Sequence, residues 1–443
     1  MLEKKIMQVC LEMGLLVCLF ATFTQAQTAT EILFPNQKDI TQIVIPYEVF
    51  KVYAAGEKVA VAGLREPKAS GEVILYNSRG QELWRKGDFK GAPYVSLGEN
   101  SNKTILITDS TLRDERRNIC VDENGNTLWE KWVTSPGISQ SPDGRYGITT
   151  MVSGEEGKGK FQIFELSTGI EIPHPIPTDY AYFYAKFLDS QQVVLLLQQV
   201  KFQRDTTLTK QAFEQYRKLM REGRKNEIGK LVLKTKMGWK EPLRRLTLVI
   251  YDIINKTVIV QRELVSRNGR SFYVSSHYHG NLSTSPNGEY IAIAGMNLPW
   301  EERKTAYPYV VQMLDSQGNL LWERGDFDLI SDTRFVEDKL VILDGMRIRV
   351  FDVERKEEIG NFDAEGIRRG RDVIQEAILQ NNKLIVQCSG INDFRVSTLL
   401  ILDLSTGEFR ADLENPGAFV LVWKKGTKGV VLNKGKRLLS FIQ

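Results

Sequence analysis

The sequence predicts an all-β fold, an eight-bladed β-propeller closed by its own N-terminal strand, and three observations predict it. From about residue 45 onward, short runs of Val, Ile, Leu and Tyr alternate with polar turns of Gly, Asn, Asp and Ser. Nearly the same phrase is written twice, "GQELWRKGDF" from Gly80 and "GNLLWERGDF" from Gly318. Gly80, Gly125 and Gly169 follow one another at spacings of 45 and 44 residues, a period typical of propeller blades or arrays.

Each unit is built alike, with a tight turn, a buried strand, a second strand into another turn, and an outer strand. The first runs "AAGEK" at 54, "VAVAG", "EVILYNSRG", "ELWRKG"; the second "ENSNK" at 99, "TILITD", "RNICVDENG", "TLWEKW". The third is "SPDGR" at 141, "YGITTM", "FQIFELSTG", "EIPHPI", and the fourth "LDSQQ" at 188, "VVLLLQ", "LTLVIYDIIN", "VIVQREL". The fifth reads "SPNGE" at 285, "YIAIAG", "YVVQMLDSQG", "LLWERGD"; the sixth "VEDK" at 336, "LVILDG", "RIRVFDVERK", "EEIGNF". The seventh is "QNNK" at 380, "LIVQCSG", "STLLILDLSTG", "EFRADL". In the Ser-Pro turns Pro presets the bend and Gly closes it, as a hairpin requires.

The eighth unit, "KKGTK" at 424, "GVVLN", "KRLLSFIQ", stops at Gln443 without an outer strand, and "TQIVIP" at Thr41 to Pro46 belongs to no other unit. Pairing the two would leave no open sheet edge. Ile43 and Val44 are therefore expected beside Leu438. Eight blades is the reading, with seven as the alternative count.

These units resemble the WD40-like and quinoprotein-like repeats of β-propellers over essentially the whole chain from about residue 40. "LDSQGNLLW", "VDENGNTLW" and "LYNSRGQELW" look like the quinoprotein-type repeat, while "SPDGRY" and "SPNGEY" look like the turn of WD40-like and periplasmic propeller repeats. The resemblance implies a Trp wedged between adjacent blades with Gly making the turn. Those quinoprotein dehydrogenases of this repeat type that have a vicinal cysteine pair set it beside their cofactor, and no such pair occurs here.

Composition narrows the function. With 443 residues, 42% of them hydrophobic and 26% charged, the chain is globular, and a net charge of +4 argues for no nucleic-acid partner. Lys4 and Lys5, the apolar run Met13 to Phe23 and the small residues ending at Ala26 predict a secretion signal over 1–26, hence a secreted or periplasmic protein. Of the 4 cysteines, only Cys120 and Cys388 lie beyond it, in units two and seven, and read as buried apolar groups.

Residues 27–443 then form one domain with a single break, a helical insertion at 201–245 in the fourth unit. "TLTKQAFEQYRKLMREGRK" sets Leu208, Ala212, Phe213, Tyr216, Leu219 and Met220 on one helical face. The insertion holds 14 Lys or Arg and 5 Asp or Glu, a local charge of +9 that leaves the rest of the chain at −5. Lys218, Arg221, Arg224 and Lys225 are its candidate contacts to an acidic partner or an anionic surface. Trp300, in the long loop "GMNLPWEERKTAYPY", is a candidate interface anchor.

Catalytic spacings are absent from the sequence: no HExxH, GxSxG, phosphate loop or CxxC pair. "DENGN" at Asp122 has part of a calcium loop without its distal Glu, and His277 with His279 supplies two ligands where a metal needs more. The sequence therefore points to a non-catalytic extracytoplasmic propeller that binds or scaffolds a protein, without cofactor or metal. The rival is an enzyme or ligand binder, quinoprotein-like or carbohydrate-active, using the central channel. It requires charged groups converging from different blades.

Overall fold

The computed structural model describes residues 40–442 except 56, 66–69, 98–103, 110–115, 134–137, 150, 154–160, 177–181, 266–281, 297–308, 366–371, 391–392, 413–418, 424–427, 434–437, and 200–244 other than 214, 215, 218, 219 and 222. After β1 (Ile40–Val44), the first sheet holds β2 (Glu48–Ala55), β3 (Lys58–Arg65), β4 (Ser70–Asn77) and β5 (Glu82–Phe89), all antiparallel neighbours in chain order. The second holds β6 (Tyr94–Leu97), β7 (Thr104–Thr108), β8 (Arg116–Asp122) and β9 (Thr127–Val133). The third holds β10 (Ile138–Gln140), β11 (Tyr146–Thr149) and β13 (Ile163–Glu165), and the fourth β12 (Met151–Ser153), β14 (Tyr182–Phe187), β15 (Gln192–Gln199), β16 (Arg245–Asp252) and β17 (Thr257–Glu263).

The fifth comprises β18 (Leu282–Thr284), β19 (Tyr290–Met296), β20 (Tyr309–Asp315) and β21 (Leu320–Phe327). The sixth comprises β22 (Ile330–Val336), β23 (Lys339–Asp344), β24 (Arg347–Asp352) and β25 (Glu357–Asp363). The seventh comprises β26 (Asp372–Gln380), β27 (Lys383–Gly390), β28 (Asp393–Asp403) and β29 (Phe409–Asp412). The last comprises β30 (Phe419–Trp423), β31 (Lys428–Asn433) and β32 (Leu438–Ile442), with β1 on its outer edge: Ile43 lies opposite Leu439 and Val44 opposite Leu438.

Two expectations about strand make-up are corrected. The third unit has no full outer strand, because "EIPHPI" pairs only through the single bridge of Glu171 to Phe164. Pro173 and Pro175 remove two donors that a ladder needs. The fourth sheet has five strands, since the continuation of "YGITTM" leaves its own sheet and pairs, as β12, with β14 of the next.

Side chains alternate along each strand, and the sheets are packed on both faces. In β4, Val73 and Leu75 pack with Ile105, Ile107 and Ile119 of the second sheet. The intervening Ile74 and Tyr76 pack with Leu439 and Phe441 of the last. Similar clusters join the third sheet to the fourth, the fourth to the fifth, the fifth to the sixth and the sixth to the seventh. Strands buried on both faces read as continuous apolar runs, as "VAVAG" and "VVLLLQ" do. The innermost strands touch in succession, β2 with β6, β6 with β10, and onward to β26 with β30, while β30 also touches β2.

The recurring phrase has a packing cause. Trp84 of β5 donates its indole N–H to Glu123 O at 3.1 Å and covers Gly125, and Trp129 of β9 donates to Leu166 O at 2.7 Å and covers Gly169. Both glycines have φ near +80° or +70° (84° and 70°), and a Cβ on either would meet indole carbons at 2.9 and 2.7 Å. The outer strand of one sheet thus clips onto the outer turn of the next. Units lacking the Trp use a five-residue turn whose second residue is apolar: Leu166, Ile253 and Val353 are buried and Leu404 is half-buried. The Ser-Pro hairpins also form as expected, with the Ser141 and Ser285 hydroxyls accepting from Tyr146 N at 3.0 Å and Tyr290 N at 2.8 Å.

Candidate functional site

Two places gather side chains that packing does not explain. The first is the outer rim of the first two sheets. Leu83 on β5 and Leu128 and Trp132 on β9 are 45%, 42% and 49% exposed. The two outer strands are tied by Lys86 Nζ donating to Thr127 Oγ1 at 2.8 Å. Trp132 stands three residues after the clipping Trp129. The matching positions after Trp84 and Trp322 are Gly87 and Gly325. A Cβ on Gly87 would have no atom within 4 Å. The fold therefore leaves this position open to water, and in the second sheet it holds an indole.

The second place is the axis on which the innermost strands converge. β2, β22 and β26 each carry a bulge at the same distance from the hairpin: the ladder skips Phe50, Ser331 and Gln375, and resumes at Lys51 opposite Ala62, Asp332 opposite Leu343 and Glu376 opposite Gln387. All three ionisable residues lie four positions before the hairpin's closing pair, Ala55 with Lys58, Val336 with Lys339 and Gln380 with Lys383. Bulges bend a strand and re-aim a side chain, and here they place three charges at one level. Two positions nearer the hairpin, on the same strand face, come Tyr53 of β2, Lys186 of β14 and Arg334 of β22. The residues between, Val52, Ala185 and Thr333, are buried in the inter-sheet core.

The electrostatics follow from this crowding. Arg334 donates to Glu376 Oε1 at 2.8 Å and Ile374 O at 3.5 Å. Asp332 accepts from Ile374 N at 2.6 Å and Thr333 N at 2.9 Å. Burial pushes the Asp332 carboxyl up, opposed by the Ile374 N–H and by the charges of Lys186 and Arg334. Lys51 is pushed down to about 8 by burial, then by the Arg334 charge, against the pull of Glu376. Burial also lowers Lys186, partly offset by Asp332 and reinforced by Arg334. The Lys186 side chain is open to water, and Lys51 is half-buried. Lys51 lies over the Tyr53 ring, 5.1 Å from its centroid.

The residues singled out from sequence fare unevenly. Lys218 is exposed and helical, one turn before Glu222, whose N–H bonds Lys218 O at 3.0 Å, and its neighbour Leu219 is buried. Arg221, Arg224, Lys225, Trp300, His277 and His279 lie outside the described residues. Asp122 in "DENGN" spends its carboxylate on the turn, accepting from Asn124 N, Asn126 N and Asn126 Nδ2 at 2.8 to 2.9 Å. His174 bonds Phe161 O at 2.9 Å and packs on that ring. Cys120 is buried, with its thiol pushed up to about 12 by burial alone.

Lys51, Lys186, Asp332, Arg334 and Glu376 escaped sequence reasoning. Their signal was present, a charge in the middle of an otherwise apolar or small inner strand: "EVFKVY", "YAKF", "SDTRF", "IQEAI".

No family model matches the chain, and no curated protein matches it. Among solved structures, Sqt1 of Saccharomyces cerevisiae is similar at TM-score 0.50 and 11% identity, over 92% of this chain and 98% of that one. BamB from Moraxella catarrhalis is similar at 0.48 and 9%, over 92% and 99%. The β-propeller domain of the Trilobed protease from Pyrococcus furiosus is similar at 0.43 and 10%, over 83% and 96%. Such identities speak to fold alone. With the succession of antiparallel sheets, the chain has the fold of the WD40-like and quinoprotein-like β-propellers.

Proposed function

We propose that the chain is a non-catalytic, extracytoplasmic binding propeller that holds a protein partner on its outer rim. In this reading the eight sheets are the blades of one ring, shut by β1 on the last blade. Residues 1–26 are a secretion signal, and 27–443 are one domain with 201–245 inserted in the fourth blade. Trp132 carries the proposal. An indole 49% exposed, at a position equivalent to glycines in two other blades, is not required by the blade clip and suits an interface anchor. Leu83 and Leu128 extend the same apolar rim. The basic residues Lys218, Arg221, Arg224 and Lys225, and the Trp300 loop, are secondary contacts, the former toward an anionic surface. Nucleic acid and cofactor have no part in this reading.

The experiment is chemical crosslinking of the secreted protein in its native envelope, comparing the unaltered chain, Trp132→Ala, and a form lacking Asp205 to Lys240. A partner captured by the unaltered chain and lost from Trp132→Ala supports the rim. Equal capture by both overturns it. The alternative, a propeller that takes a small ligand at its axis, is favoured by the charges on the inner strands.

A further inference from the structure

Independently of the rim, the geometry points to a binding site for a small oxyanion, a carboxylate or a phosphate, at the propeller axis between Lys51, Lys186 and Arg334. Three observations carry it. The three cations come from the first, fourth and sixth sheets, so the site exists only in the assembled fold. The neighbouring acids are already satisfied: Glu376 takes the Arg334 guanidinium at 2.8 Å, and Asp332 takes two backbone N–H groups at 2.6 and 2.9 Å. Among the described residues, by contrast, neither the Lys51 nor the Lys186 ammonium has a hydrogen-bonding or ion-pair partner, although an ammonium has three donors; Lys51 is half-buried over the Tyr53 ring and Lys186 is open to water. Two ammonium groups without a partner, beside the Arg334 charge, leave a positive site that an anion would neutralise.

The setting selects the ligand. A cation is refused by a net positive site whose carboxylates are occupied. Lys51 and Lys186 lie at successive levels along the axis, and the guanidinium of Arg334, shared by both, supplies a planar fork suited to oxyanions. Half-buried Ser96 and Ser139, at the Lys186 level on β6 and β10, add hydroxyl donors. The bulges at Phe50 and Ser331 fall beside Lys51 and Asp332, where a re-aimed side chain serves a ligand and not the ladder.

Titration calorimetry tests the site, with inorganic phosphate and succinate as separate probes that distinguish phosphate from carboxylate ligands. One saturable site is expected for at least one probe, at least tenfold weaker in Lys51→Met and in Lys186→Met, and unchanged in Lys218→Met. Affinity should fall as pH rises through about 8, where Lys51 loses its charge in the field of Arg334, Glu376 and Tyr53. Thermal unfolding gives a second readout. The Met variants should melt no lower than the unaltered chain, since neither ammonium has a hydrogen bond or ion pair to lose, and the probe should stabilise only the unaltered chain. Absence of saturable binding for both probes overturns the proposal, as does undiminished binding in both Met variants, or lower melting of both.

Discussion

Two tryptophans three residues apart on one strand should behave oppositely when cut to alanine. Trp129 is buried, donates to Leu166 O at 2.7 Å, lies 6.4 Å from the Phe164 ring and covers Gly169. Truncating such a side chain costs about 3–5 kcal/mol. Leu166 O keeps only the weak Cys120 thiol donor at 3.4 Å, so a value near ~4 kcal/mol is expected. Trp132 is half exposed, and its truncation should change stability by no more than ~0.5 kcal/mol.

The clip can also be attacked from its other side. At Gly169, φ is 70°, and a Cβ would stand 2.7 Å from Trp129 Cγ. Gly169→Ala then combines left-handed strain of about 1–2 kcal/mol with overpacking of about 1–3 kcal/mol. When Trp129 is already alanine the overpacking has no object, and only the strain remains. The double variant should therefore cost less than the sum of the singles by about 1–3 kcal/mol. The assay is urea unfolding followed by far-ultraviolet circular dichroism, with the slope checked for constancy across variants. Strict additivity, or a Trp129→Ala cost no larger than that of Trp132→Ala, would refute the reasoning.

Two further predictions concern other joints. In the sixth sheet Arg349 is buried, donating to Glu358 Oε2 at 2.6 Å and Asp326 Oδ2 at 2.7 Å, and stacked 4.4 Å from the Phe327 centroid. Arg349→Met should cost about 3 kcal/mol by stranding its acids. Burial alone would raise Asp326, but the hydrogen bond and charge of Arg349 win and hold it below the usual carboxylate value. Its contribution is therefore present above the unfolded pKa and lost as pH falls through the folded one. Acid titration of stability should show that loss in the unaltered chain and a smaller one in Arg349→Met. Removing β1 leaves the β32 edge without its five partners, Ile40 to Val44, and the shortened protein should unfold at lower urea and aggregate, as light scattering would show. Unchanged behaviour would count against closure of the last blade by β1.

Period and turn chemistry are local, and so they are readable in one dimension. The hairpins at Ser141 and Ser285, the glycines at 125 and 169, and the pairing of Ile43 and Val44 near Leu438 all follow from which residues tolerate a bend and which faces must be covered. The third blade misled for an equally local reason, since Pro173 and Pro175 were counted as strand residues although neither can donate to a ladder. Trp132 could have been noticed by aligning "TLWEKW" with "ELWRKG", because the two differ at the position where one has Gly and the other Trp.

What belongs to tertiary structure alone is the axis. Lys51, Lys186, Asp332, Arg334 and Glu376 are spread over some three quarters of the chain, and no spacing rule links them. Lys51, Asp332 and Glu376 each stand beside a one-residue slip in their ladders, at Phe50, Ser331 and Gln375, whereas Lys186 comes from β14, whose ladder runs without one. Because strand side chains alternate with period two, each slip resets which residues face the core and which face the axis. The sequence by itself determined where most strands run and where they turn, since local backbone conformation is set by neighbours along the chain. Which charges meet was decided only when the sheets were arranged about a common centre, since electrostatic fields act through space.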